Sequence, residues 1–206
     1  MAYAVREIFH SLQGEGAQTG RAAVFLRFAG CNLWSGREAD RADAVCTFCD
    51  TDFVGGDKFP DAETLAEQVI AAWPAEADGP RLVIVTGGEP ALQLDDALVA
   101  ALKDRGFEVA VETNGTLALP AGLDWICVSP KAGTDLVVTA GDELKLIFPQ
   151  TGAAPRDYEH LAFRHFFLQP MDGPERAANT RLAVAYCLTR PRWRLSLQTH
   201  KLLGIP

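Results

Sequence analysis

Residues 81–112 read RLVIVTGGEPALQLDDALVAALKDRGFEVAVE: an apolar run, a Gly-Gly-Glu-Pro turn, a helix-length segment and a second apolar run. Arg81–Thr86 and Phe107–Glu112 are short, rich in Val, Ile and Phe, and bounded by Gly, which suits buried parallel strands. Between them Gln93–Arg105 carries Leu94, Leu98 and Leu102 at helical spacing, and Gly106 supplies the stop. A strand, a helix and a strand in this order make a right-handed crossover, the unit of an α/β fold.

The same alternation extends on both sides. Arg21–Phe28, Asp124–Val128, Glu143–Phe148, His165–Gln169 and Trp193–Gln198 bring the expected strands to seven. One further helix is capped by Asp61, carries Leu65, Val69, Ile70 and Trp73, and stops at Pro74; another lies between Pro174 and Pro191. Seven strands are one short of an eightfold barrel, so the expectation is a partial, open β/α barrel. At 206 residues it forms one domain, 1–206, with an irregular insertion at 32–45.

Composition narrows the function classes. Lys and Arg total 19 against 27 Asp and Glu, a net charge of −8, which argues against general nucleic-acid binding. With 48% apolar and 22% charged residues the chain is globular in type. No apolar run approaches the ~18 residues of a membrane span, and the first residues lack the pattern of a secretion signal. Five cysteines, an odd number without an export signal, point to a reducing, cytoplasmic setting.

Polar chemistry gathers where strands end: Cys31, Gly87-Gly88-Glu89, Glu112-Thr113-Asn114, Ser129-Pro130-Lys131, Gln169-Pro170-Met171-Asp172 and Thr199-His200. In barrel-like α/β folds those ends carry the active site. Cys127 and Cys187 sit in apolar surroundings and read as small buried hydrophobes. Cys31-x14-Cys46-x2-Cys49 offers three thiolates on one loop. Three soft ligands suit three corners of a cubane iron–sulfur cluster; the alternative is zinc, with Asp50 or a distant His as fourth ligand, or a catalytic zinc with three.

Cys46-Thr47-Phe48-Cys49-Asp50-Thr51, followed by Gly87-Gly88-Glu89-Pro90, resembles the radical S-adenosylmethionine (SAM) enzymes, whose triplet has an aromatic residue before the last cysteine. Their usual spacing is x3 then x2. Arg6-Glu7-Ile8-Phe9-His10-Ser11-Leu12-Gln13-Gly14-Glu15-Gly16, Thr19-Gly20-Arg21, Phe25-Leu26-Arg27, Glu112-Thr113-Asn114-Gly115 and Thr199-His200-Lys201 resemble the 7-carboxy-7-deazaguanine synthases. Some members of that family carry an enlarged loop between the first two cysteines, which accommodates the x14.

The resemblance implies conversion of 6-carboxytetrahydropterin to 7-carboxy-7-deazaguanine with loss of ammonia, on the route to deazapurines such as queuosine. It implies a 4Fe-4S cluster, SAM, Mg2+, a homodimer, and an electron donor such as a flavodoxin or ferredoxin. Cys31, Cys46 and Cys49 would ligate the cluster. SAM would be held by Phe48, Asp50, Gly88, Glu112, Asn114, Ser129, Pro130, Lys131, Gln169, Pro170, Met171 and Asp172. Leu12, Gln13, Gly14, Glu15, Arg27 and Thr86 would hold the pterin: Gln13 and Glu15 match its row of donors and acceptors, and Arg27 offers a fork for its carboxylate. Gln13–Gly16 as a mere turn, Glu15 as a solvated acid and Arg27 as a strand-edge residue are the bland alternatives.

Two further expectations concern oxygen ligands. Thr51, beside Asp50, is expected to ligate magnesium with substrate oxygens. His200 and the carboxylate of Pro206 are expected to bind substrate, with Leu202, Leu203 and Ile205 pinning the tail to the barrel. His160 and His165 read as structural or surface residues. Two other functions compete: a radical activase of a glycyl-radical partner enzyme, and a zinc-stabilised binding module.

Overall fold

A buried strand needs a buried neighbour on each edge, and here the neighbours form one open sheet. The computed structural model describes residues 2–206. Its nine strands are β1 (Tyr3–Leu12), β2 (Ala22–Phe28), β3 (Asp57–Phe59), β4 (Arg81–Gly87), β5 (Phe107–Thr113), β6 (Trp125–Val128), β7 (Ala140–Phe148), β8 (Ala162–Pro170) and β9 (Trp193–Leu195). They lie in the order β3-β1-β2-β4-β5-β6-β7-β8-β9, and the two edges do not meet. From β2 to β9 every pairing is parallel; β1 runs antiparallel to both β2 and β3.

The seven expected strands are all present, and the open α/β barrel is the fold. Two strands were not expected. β3 has three residues, and β1 carries Arg6, Glu7, His10 and Ser11, so it lacks an apolar run. The last strand stops at Leu195, three residues short of the expected end. Helices alternate with strands less regularly than the sequence implies. Residues 114–124 and 129–139 join their strands without a helix, and only a 3-10 turn at Pro155–Tyr158 lies between β7 and β8.

Where helices do form, their ends are set by side chains. Helix α1 (Ala62–Ala72) starts at Asp61, whose Oδ1 accepts from Thr64 N at 2.8 Å. Helix α2 (Asp96–Asp104) starts three residues later than Gln93 because Asp95 is the cap, accepting from Leu98 N at 3.0 Å. Gln93 instead joins the sheet: its Oε1 accepts from Ala4 N at 2.6 Å and its Nε2 donates to Ala29 O at 2.8 Å. Helix α3 (Arg176–Thr189) covers β8 and β9, and a short α4 (Thr199–Leu203) follows.

Strand alternation sorts the core into two faces. Val83 and Val85 of β4 pack with Leu65, Val69, Leu98 and Leu102 of α1 and α2, while Leu82 and Ile84 face the inside of the sheet with Ala23 and Ala110. Phe166, Leu144, Leu146, Leu168, Ala183 and Trp193 form a second cluster beneath α3. Cys127 is buried as expected, but Cys187 on α3 is only half-buried. Leu65 is fully buried, so Leu65→Ala should lower the unfolding free energy by about 2–5 kcal/mol, read from urea denaturation.

Candidate active site

Parallel strands all deliver their C-terminal ends to one rim. A cavity of about 500 Å³ opens there, lined from Leu12 and Arg27 across to His200 and Pro206. Every site residue expected from the sequence lines it except Gly14 and Pro130. Gly14 lies behind His200: a Cβ on it would come within 2.2 Å of the His200 Nδ1 atom, so glycine is what lets the histidine seat there. Pro130 lies outside the lining, its carbonyl accepting from Gln150 Nε2 at 3.4 Å.

One wall is sulfur. Cys31, Cys46 and Cys49 are free thiols and all border the cavity. Burial pushes the Cys31 thiol up; the hydrogen bond from Cys46 lowers the Cys49 pKa in spite of burial. The insertion braces this wall. Its 3-10 segment Glu38–Asp43 places Arg41 over the Trp34 ring, 4.1 Å from the centroid. Arg41 Nη1 then donates to the carbonyls of Thr47 (3.0 Å) and Cys49 (3.1 Å), which fixes the turn between two thiols. Among the described residues no three His, Cys, Asp or Glu side chains close on a single ion. Three free thiols on one wall are the soft donor set that three corners of a 4Fe-4S cluster would take.

Behind the thiols the backbone comes close. A Cβ on Gly88 would lie 2.2 Å from Gly30 O and 2.8 Å from Cys31 Cβ, so only glycine allows the ends of β2 and β4 to meet here. Glu89 points away from the cavity and is fully buried. Its carboxylate accepts from Thr113 Oγ1 (2.6 Å), Asn114 N (2.7 Å) and Ala91 N (2.9 Å), locking β4 to β5. Burial raises its pKa against the pull of those bonds. Asn114 donates to Asn32 Oδ1 at 2.9 Å, and half-buried Lys131 donates to Ser129 Oγ at 2.8 Å. Burial lowers the Lys131 pKa.

The opposite wall combines β1, β2 and the 198–206 segment. Glu15 accepts from Lys145 Nζ at 2.5 Å and Gln198 Nε2 at 3.0 Å. Burial pushes Glu15 up, but Lys145 outweighs it and holds the carboxyl at about 2. Glu15 is thus a buried, paired acid and not a solvated one. Arg27 is engaged by Glu7, Nε to Oε1 at 2.7 Å, with Thr86 and Thr51 also at the lining. Pro206 is brought in through its carbonyl, which accepts from Ser11 Oγ at 2.8 Å. The apolar pinning expected for this segment is not what holds it: Leu202 and Leu203 are 65% and 64% exposed. Polar contacts do the holding. Thr199 gives N and Oγ1 to Gly14 O at 2.9 Å each, and Lys201 Nζ reaches Asp50 (2.7 Å) and Asp172 (2.6 Å).

Several lining residues escaped the sequence reading. Phe9 and Phe25 stack with centroids 5.1 Å apart, on β1 and β2. Lys145 and Gln198 were within reach, since a lone lysine in the apolar run Glu143–Phe148 and an amide at an expected strand end are both conspicuous.

Comparison with known proteins agrees with this geometry. The model of the radical SAM superfamily matches residues 41–147, just over half of the chain. A 7-carboxy-7-deazaguanine synthase of Caulobacter vibrioides is 65% identical over the full length of both chains, and one of Bordetella pertussis is 64% identical, again over both in full. The crystal structure of QueE from Escherichia coli superposes with a TM-score of 0.70 at 27% identity, covering 96% of this chain and 94% of that one. The thiol wall, the glycine approach and full-length relationships of this strength place the chain in the 7-carboxy-7-deazaguanine synthase family of radical SAM enzymes.

Proposed function

We propose that this chain converts 6-carboxytetrahydropterin to 7-carboxy-7-deazaguanine with loss of ammonia, as one radical SAM domain over residues 1–206. The observation that carries the reading is one cavity where three free thiols face a turn bearing Gln13 and Glu15. When bound, the cluster and SAM would supply radical chemistry able to remove hydrogen from the pterin carbon bearing the carboxylate.

The chain's own residues bind, orient and exclude water. Cys31, Cys46 and Cys49 would hold the cluster. Gly88, Glu112, Asn114, Ser129, Lys131 and the Gln169–Asp172 loop hold SAM, with Phe48 and Asp50 beside the triplet. Gln13 and Glu15 take the pterin's N–H edge, and the Arg27 fork takes its carboxylate once the Glu7 pairing yields. Leu12, Gly14, Thr86, His200 and Pro206 complete the pterin subsite, with Gly14 acting through His200. Thr51 ligates magnesium jointly with substrate oxygens.

A homodimer, a flavodoxin- or ferredoxin-type electron donor and a cytoplasmic setting belong to the same reading. Among the described residues no helix is long and apolar enough to cross a membrane. The activase alternative loses support from a cavity furnished for a small polar molecule, and the binding-module alternative from the full-length likeness to enzymes of this family.

Anaerobic reconstitution with iron and sulfide, then SAM, reductant and the pterin, should yield the deazaguanine product by mass spectrometry. Cys31→Ala, Cys46→Ala and Cys49→Ala should each abolish turnover and lower cluster content, whereas Cys127→Ala and Cys187→Ala should retain both. Normal cluster content in a triplet variant would refute the ligand assignment.

Thr51→Ala should lose magnesium dependence of the substrate KM; an unaltered magnesium titration would exclude its role. The pH dependence of stability has a definite sign. Because the folded pKa of Glu15 is depressed from 4.5 to about 2, its stabilisation is complete above about 4.5 and is lost as pH falls toward 2. Urea midpoints followed over that window should fall less steeply for Glu15→Gln than for the wild type.

A further inference from the structure

Four residues, one of them through its backbone N–H as well, close a ring between the two subsites of the cavity. Glu15 N donates to Gln13 Oε1 at 3.0 Å, and Gln13 Nε2 donates to Glu112 Oε1 at 2.8 Å. Lys145 Nζ lies 3.3 Å from the same Glu112 Oε1 and donates to Glu15 Oε2 at 2.5 Å. The ring joins β1's end to β5's end through β7, residues 99 and 130 positions apart. The Lys145 side chain is 4% exposed, against 14% for Glu15 and 25% for Glu112. One ammonium therefore serves two carboxylates, and it serves them unequally, tight on Glu15 and loose on Glu112.

The neighbouring acid does not compete for it directly. Glu143, on the same face of β7, turns its Oε2 to Ala17 N at 2.9 Å, while the Cys127 thiol lies 3.6 Å from its Oε1. That bond fixes the turn following Glu15. Lys145 is thus left facing the two ring carboxylates, and their charge outweighs the burial that would otherwise lower its pKa. Glu112 Oε2 has no hydrogen bond to the protein among the described residues, and Glu112 lines the cavity. The ring thus holds one oxygen of Glu112 and leaves the other to a ligand.

We propose that Lys145 is a positioning residue whose shared ammonium couples occupancy of the pterin and SAM subsites. The inference rests on assigning Glu15 to the pterin and Glu112 to SAM. Pterin N–H donors arriving at Glu15 satisfy part of its charge, which frees Lys145 to close on Glu112 Oε1. Glu112 is then held in one orientation with Oε2 presented to the ribose hydroxyls, so SAM meets a pre-ordered acceptor. Coupling is reciprocal: SAM bound first tightens the pterin by the same factor.

The experiment is calorimetric titration of the reconstituted holoenzyme under anaerobic, reductant-free conditions, in which SAM is not cleaved. SAM is titrated with and without the pterin, and the pterin with and without SAM. Wild type should show each ligand tightening the other by about five-fold or more. Lys145→Met should bind each ligand alone yet bring that factor to one, and Lys145→Arg should restore most of it. A merely structural lysine would weaken both affinities and leave their ratio unchanged. Where Lys145→Met does not fold, Lys145→Gln, which keeps a donor and removes the charge, should lose the coupling equally. A wild-type factor of one, or a wild-type factor retained in the uncharged variant, overturns the proposal. The site reading itself is checked separately: Glu15→Gln should weaken the pterin measured alone, and Glu112→Gln should weaken SAM measured alone. If those fail, the subsite assignment is wrong whatever Lys145 does.

Discussion

The carboxylate of Glu89 holds the floor of the site together. It is fully buried and accepts three hydrogen bonds, from Ala91 N in the turn after β4 and from Thr113 Oγ1 and Asn114 N at the end of β5. A buried acid is tolerated only when its lone pairs are filled, and each of these bonds comes from a different backbone segment or side chain. The consequence is a fixed offset between two strand ends. Gly88 is then pressed against Gly30, and Cys31 is carried to the same rim as Asn114. Removing the acid's partners would loosen the thiol wall and the wall at Asn114 together.

The two lysines of the cavity differ in a way that burial alone does not explain. Lys131 donates to the Ser129 carbonyl and hydroxyl, both neutral, and burial lowers its pKa. Lys145 is more deeply buried, but Glu112 and Glu15 beside it raise its pKa well above the ordinary value. Two carboxylates beside Lys145 outweigh the burial that would lower its pKa, whereas Lys131 donates to neutral oxygens.

How much of this the sequence disclosed follows from what each residue has to satisfy. The unit from β4 through α2 to β5 was legible because both its strands are buried on two faces and its helix on one, and Gly106 ends the helix. β1 was not, since its inner face lines the cavity and carries Arg6 and Glu7, which break the apolar run that marks a strand. The helix missing between β6 and β7 left no trace either, because Pro130, Gly133 and Thr134 punctuate a loop as well as they precede a helix. In the site, the cysteine triplet was legible from spacing, and the Gln13–Glu15 turn from resemblance. The pairing of Glu15 with Lys145 was not, as a contact across 130 positions has no local signature. Nor was the manner in which residues 198–206 are held, where apolar side chains suggested packing and polar bonds provide it.

Those bonds link the two ends of the described chain: Ser11 to Pro206 across 195 positions and Gly14 to Thr199 across 185. β1 precedes α4 by almost the whole described chain, so the Gln13–Glu15 turn is made long before the segment that seats His200 against Gly14. Loop closure over such a span costs entropy that only a largely formed sheet can offset. Closing this wall of the cavity therefore rests on contacts of high sequence separation, whose entropic cost the rest of the sheet offsets.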